Sequence, residues 1–345
     1  MTDEQGFLQQ VFGGLAAFAQ ERLAEHRHHQ ERLAAMRDAI EAVVDASEPR
    51  IRLVGSYADK LLNAVETASI YAEKMLKQLP PAITLDAHAW SRHPEVNAFF
   101  ATVDDLRKML AEDSGLRLFF QESGAERGYA LMLMVRRETE TFGAALRGDV
   151  LVRDVRQIRV SFSKHRLFFP TTSEKRLREG LQQRMLVFLA MRALERINEI
   201  RDQRSSLEEQ RRRLQAQLRA LRSHAQGLQP LLLSTDEHPR RETALEQRLV
   251  QVEEDLVAVR KRLGTLDDYL EQVQQVLSQP EKYLQARPLT LRLTRLGIKL
   301  SPESSEPGET LSLIELDSLG DQRIGALVRF SRQEALPPPP VMTTI

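Results

Sequence analysis

The sequence predicts an α+β protein, mainly helical, in which a long antiparallel coiled-coil hairpin lies between two β segments. Three observations carry that expectation. Two leucine-rich ladders run through residues 193–228 and 245–277 in steps that alternate four and three. Stretches rich in Val, Leu, Ile and Phe, partly alternating at period two, precede and follow them. Aromatic residues make up only 6% of the chain, which suits long helices better than a β-sandwich.

Residues 1–80 read as a helical segment. Phe7, Leu8, Val11, Phe12, Leu15 and Phe18 recur at helical spacing. Val54, Ala58, Leu61, Val65, Ala68, Ala72, Met75 and Leu79 then form a heptad seam whose alanines allow close packing. Pro80 and Pro81 stop it, because proline lacks the helical donor and clashes with the preceding turn. Residues 81–127 hold short helices, with Trp90 in a loop between His88 and His93 and His93 as a helix cap. Residues 128–172 form an antiparallel β segment of three or four strands, with "RGD" (147–149) and "SKH" (163–165) as turns. Tyr129, Leu131, Leu133 and Val135 share one face there, and Val160 and Phe162 share a face of a later strand.

After Pro170, Thr171 and Glu174 stand at capping-box spacing and open the hairpin, residues 173–279 with its turn in 229–240. The first ladder is Ala193, Ile197, Ile200, Arg204, Leu207, Arg211, Leu214, Leu218, Leu221, Ala225, Leu228. The second is Leu245, Leu249, Val252, Leu256, Val259, Leu263, Leu266, Leu270, Val273, Leu277. At helical rise the arm would be roughly 50–60 Å long. Arg212, Arg213, Arg219 and Arg222 lie off the seam and are expected to pair with the acidic second helix or to face water, not nucleic acid. Arg204 and Arg211 occupy seam positions. With Leu228 set against Leu245, antiparallel counting brings Arg204 near Asp267 and Asp268, and Arg211 near Arg262. They either fix register or lay their methylenes on the seam. Residues 280–333 return to β structure, and an antiparallel hairpin brings them back toward 128–172, so the two can join in one sheet or barrel. The Pro-rich end, 334–345, reads as a disordered tail.

Composition narrows the function. Lys plus Arg equals Asp plus Glu at 49 each, which argues against a general nucleic-acid binder. A nucleic-acid-associated coiled coil would need a local arginine patch. The absence of cysteine removes disulfides, thiolate metal sites and cysteine nucleophiles together. "MTDEQGFLQQVFGG" has no cationic stretch before an apolar core, and no apolar run nears the ~20 residues that span a bilayer. A cytoplasmic protein without membrane contact is expected. His26 and His29 share a helical face but fall short of a zinc ligand set. Ser163, His165 and Asp154 can be drawn as a triad, without a nucleophile elbow or oxyanion loop. No catalytic residue, metal or cofactor is expected. The reading that remains is a non-enzymatic scaffold or interaction protein, with self-association or a protein partner engaged through the arm. Its interaction and register positions are Arg204, Arg211, Leu214, Leu218, Leu221, Leu256, Leu263 and Leu270.

One stretch has a likeness. Arg292, Thr294, Arg295 and Gly297 are followed by Pro307-Gly308, "TLSLIEL" and "GALVRF". Over 287–333 this resembles the second half of a PilZ domain, a small β-barrel that binds cyclic diguanylate. Thr294 stands for that family's serine and Gly297 for its glycine. Arg292 replaces an acid or amide, and no Arg-x-x-x-Arg precedes the strand at the family's spacing. The resemblance implies a degenerate, cyclic-dinucleotide-responsive signalling protein with a ligand site at Arg292, Thr294, Arg295 and Gly297.

Overall fold

A computed structural model describes residues 30, 33–147, 150–225, 237–301, 304 and 306–336. The expected stripe Phe7–Phe18, the histidines His26 and His29, the hairpin residue Leu228 and the tail from 337 onward lie outside the described residues, as do Gly148 and Asp149. The chain divides into two compact units, residues 1–67 with 187–278 and residues 68–186 with 279–345.

The first unit is helical. Helix α1 (33–46) leads into a 3₁₀ turn, Pro49–Leu53, and into the start of α2 (Tyr57–Gln78). The greater part of α7 (Glu174–Ala225) follows, with α8 (Glu237–Arg262) and α9 (Leu266–Leu277). Ile40, Val43, Val44, Ile51, Leu61, Val65, Ala193, Ile197, Ile200, Leu270, Val273 and Leu277 are all buried. Their spacing shows why these segments fold as helices: each keeps one apolar stripe and hides it.

The second ladder is not one helix. It breaks at residues 263–265, and Thr265 starts α9 with a capping box, its hydroxyl accepting from the Asp268 N–H while the Asp268 carboxylate accepts from the Thr265 N–H. The four-three stepping runs unbroken across this point, so apolar spacing alone could not reveal it. Gly264 and the Thr265-x-x-Asp268 signal did stand in the sequence. At the other end α8 starts at Glu237, inside the expected turn, with Pro239 in the first helical turn where its missing N–H has no intrahelical partner to lose.

The second unit holds the sheet. Its strands are β1 (Ile83–Thr84), β2 (Arg127–Arg147), β3 (Val150–Thr171), β4 (Gln285–Leu293), β5 (Glu309–Ser318) and β6 (Asp321–Ser331). They are ordered β3-β2-β6-β5-β4, and β1 pairs in parallel with β6. The two β segments that flank the arm in sequence therefore meet where β2 pairs with β6, from Arg127↔Ser331 to Met134↔Ile324. Residues 297–300 then link the outer strands. The Val160 N–H donates to Gly297 O, the Lys299 N–H to Ile158 O and the Leu300 N–H to Arg292 O, each at 2.8 Å. The sheet thus closes on itself, and edge donors find partners.

One face of the sheet carries Ala130, Met132, Met134, Val160, Phe162, Leu291, Leu293, Leu311, Leu313, Ile324, Ala326, Val328 and Phe330. Against it pack α3 (Ala87–Arg92), α4 (Pro94–Phe99), α5 (Val103–Glu112) and α6 (Ser114–Ser123), through Phe99, Leu106, Leu110, Leu116 and Phe120. Leu131, Ile314 and Leu327 face the other way, onto Leu76, Leu79, Leu177 and Leu181. With both faces covered, "YALMLM" reads as a continuous apolar run and not as an alternation. Trp90 is helical rather than in a loop, and its indole N–H donates to Phe100 O at 2.8 Å. His93 sits between α3 and α4 without a side-chain capping bond.

Residues 128–172 make two long strands instead of three or four. "SKH" is a β-bulge: the pairing slips between Leu133↔Arg166 and Val135↔Ser163, and Lys164 has φ 55°. Similar slips surround Asp154 (φ 57°) and Phe169 (φ 59°), so β3 bends three times without ending. Helix α7 starts from Ser173, whose hydroxyl accepts from the Arg176 N–H, and not from the expected Thr171. Glu174 instead receives Arg178, and that guanidinium also donates to the carbonyls of Leu76, Leu79 and Pro80, satisfying the end of α2 where the prolines stop it. Residues 332–335 form a short helix, α10, so 334 and 335, expected in the tail, are helical.

Candidate interaction surface and ligand site

The arm is built from the distal part of α7 and from α8. Leu214, Val252 and Leu256 are 7%, 4% and 2% exposed and pack together with half-buried Leu207, Leu245 and Leu249. Leu218 is buried beside them, and Leu221 is half-buried. The seam is thus filled within one chain. Arg222 spans the helices, donating to Glu242 at 2.7 Å and Glu246 at 2.6 Å. Arg260 reaches Glu208 at 3.2 Å, and Arg262 donates to Gln203 at 3.4 Å.

These cross-links place Arg204 level with Arg262, away from Asp267 and Asp268, about one heptad from the register counted on Leu228 and Leu245. A slip of seven residues preserves every apolar contact of a heptad seam, so leucine spacing cannot choose between the two registers. The ion pairs do. Arg204 is exposed and bonds to Glu208 of its own helix at 3.0 Å. Arg211 stays at the seam, half-buried, and its Nε has no hydrogen-bond partner among the described residues. Of the off-seam arginines, Arg213 pairs with Glu209, while Arg212 and Arg219 bond to backbone carbonyls one turn back. Leu263 is buried at the helix break, and Leu270 belongs to the helical base beyond it.

The sequence did not single out the tightest polar cluster of this unit. Arg50 grips the Glu48 carboxylate with two bonds, 2.8 and 3.0 Å, and Arg201 adds a third at 2.5 Å. Both guanidinium groups lie over the Tyr269 ring, 5.7 and 5.1 Å from its centroid. The Arg50 bonds first, with those of Arg201, hold Glu48 down to about 2 although burial opposes them. A carboxylate so held stays ionised at neutral pH and fastens the elements around it. No motif distinguishes Glu48 from the other acids, because its partners come from 2 and 153 residues away.

The PilZ-like residues lie where the sheet closes. Gly297 takes φ 77°, and a Cβ there would sit 2.8 Å from Val160 O. Thr294 closes the turn: its carbonyl accepts from the Gly297 N–H and its hydroxyl from the Ile298 N–H. Arg292 donates to Ser304 O at 2.8 Å and Glu306 O at 3.0 Å, which makes it an anchor for the loop before β5. Arg295 is exposed.

A separate cleft of about 340 Å³ is lined by Asp105, Lys108, Met109, Glu112, Asp113, His165 and Arg166. His165 stacks on Phe100 with centroids 4.6 Å apart, and its Nε2 is buried without a partner. Burial lowers its pKa, against a hydrogen bond to the Phe99 backbone and the nearby Asp105 charge. Its ring is thus wedged beside the helices that cover the sheet. Asp154 and Ser163, the other members of the drawn triad, sit at or beside bulges of the same strand, Asp154 at the slip eleven residues away. Among the described residues, no group of three or more His, Cys, Asp or Glu could hold a metal, and no helix is long and apolar enough to cross a membrane. The chain matches no known family model, and neither curated proteins nor solved structures give a significant match.

Proposed function

We propose that this chain is a non-enzymatic, cytoplasmic scaffold or interaction protein whose α7–α8 arm is the surface offered to a protein. One observation carries the reading: the arm satisfies its own seam yet leaves a second apolar stripe on α8, with Val250 and Val257 55% and 53% exposed. An arm kept only as a spacer would have no need of valine there, since β-branched residues are mediocre helix formers on an exposed face. A photo-reactive residue placed at Val250 or Val257 of the full chain should give protein adducts in cells, and one at exposed Thr290 on β4 should not. Adducts from Thr290 alone would reject the reading.

A second reading rests on the Thr294–Gly297 turn at the closure of the sheet, at the position of the PilZ-like motif. Calorimetric titration with cyclic diguanylate tests it. Under the arm reading no heat of binding is expected. Micromolar binding lost in Arg292→Ala or Arg295→Ala would favour the nucleotide receptor instead.

A further inference from the structure

We propose that the outer face of α8 docks on the same face of a second copy of this chain, antiparallel, about a two-fold axis at Val257. The proposal rests on the arm reading and names its partner.

Helix α8 carries two apolar stripes. Val252, Leu256 and Val259 are no more than 5% exposed and belong to the seam. Val250 and Val257 point elsewhere and line a shallow groove with Glu253, Glu254, Ala258 and Lys261. The charges on this face differ from those at the seam. Glu208, Arg222, Glu242, Glu246 and Arg260 are all paired within the arm. Glu253, Glu254 and Lys261 are exposed and form no ion pair among the described residues.

The order of residues on this face is self-complementary. Glu253 and Lys261 each stand four residues from Val257, one turn to either side, so the three form a single ridge. A parallel copy would set Glu253 against Glu253 and Lys261 against Lys261. An antiparallel copy centred on Val257 sets each Glu253 beside the other copy's Lys261, and the symmetry makes that pair twice. Val250, seven residues before Val257, then falls opposite Gly264 of the other copy, where α8 has ended and no side chain obstructs the valine. Charges of alternating sign disfavour a polyanion such as nucleic acid, which needs one sign along the contact. About four helical turns take part, which is less than a standard interface, so the dimer is expected in the range of roughly 10–100 μM.

Sedimentation equilibrium of the full chain tests this. Wild type should dimerise reversibly. K261E, which sets an acid against the other copy's Glu253, should weaken the dimer by about tenfold or more, and so should E253K, which sets two bases together. The double variant E253K/K261E should recover most of the affinity, because the pair is exchanged and not removed. These positions are exposed, so circular dichroism should show unchanged helix content. The chain has no cysteine, so Val257→Cys supplies one thiol per copy, and a short bis-maleimide should join two copies there but not through Arg213→Cys on α7. A chain monomeric at every concentration, or a dimer indifferent to all three charge variants, overturns the proposal. Monomers that still cross-link to another protein from Val257 overturn self-docking and leave the arm reading standing. Adducts absent from the arm altogether defeat both.

Discussion

Gly297 shows how one residue holds the closure of the sheet. Its carbonyl receives the Val160 N–H, and its own φ of 77° leaves no room for a Cβ beside Val160 O. Gly297→Ala should lower stability by about 1–3 kcal/mol in urea denaturation, with faster amide exchange at Val160 and Lys299. Glu48 and His165 make stability depend on pH in separate windows. Both groups titrate lower in the folded chain than in the unfolded one, so each contributes above its unfolded pKa and loses that contribution as pH falls. For His165 the loss starts near 6.5, and for Glu48 only near 4.5. Denaturation midpoints should therefore start to drop as pH falls below about 6.5, and His165→Gln should flatten that drop without changing the later one. Glu48→Gln should remove the later one and cost roughly 2–3 kcal/mol at neutral pH. At this scale the sequence was uneven evidence. Gly297 stood out by its motif, though its contact with β3 did not. Glu48 owes its low pKa first to its neighbour Arg50 and then to distant Arg201, and His165 is stacked on distant Phe100, so no local pattern reports either cluster.

At the scale of elements, the heptad steps located both ladders, because burial of one stripe leaves its period in the residues themselves. Register was not legible, since a heptad seam is nearly unchanged by a slip of seven, and it is settled by Arg222 with Glu242 and Glu246. The helix break was overlooked because the apolar steps cross it without a fault, although Thr265 and Asp268 marked it. Thr265→Ala should destabilise the start of α9 by about 1 kcal/mol, seen as increased exchange from Leu266 to Tyr269. Leu256→Ala, which opens a space at a side chain only 2% exposed, should cost about 2–4 kcal/mol and loosen the arm. Amide exchange should localise that effect to residues 207–218 and 245–259, leaving the sheet protected. The β-bulge at Lys164 reads as a turn in the sequence because Ser, Lys and His suit either. Only the pairing with β2 shows that the strand continues past Lys164.

For the whole molecule, the α+β class, the hairpin between the β segments and the meeting of those segments in one sheet all follow from two periodicities and the return of an antiparallel hairpin. The candidate ligand positions were brought near one another at the sheet closure, with Arg292 bound to loop carbonyls there. The stripe at Val250 and Val257 was missed. Valines seven residues apart off the main ladder look incidental until the main ladder is seen to be full. An arm that closes on itself leaves α8's outer face, not its seam, for a partner. The direct measurement is cross-linking of a double variant of this cysteine-free chain, Arg222→Cys with Glu246→Cys, by a short bis-maleimide at submicromolar protein. A cross-link within single chains is expected, still of monomer mass on a denaturing gel. Covalent dimers without intrachain product would mean that the seam is filled by another copy, and would contradict closure within the chain.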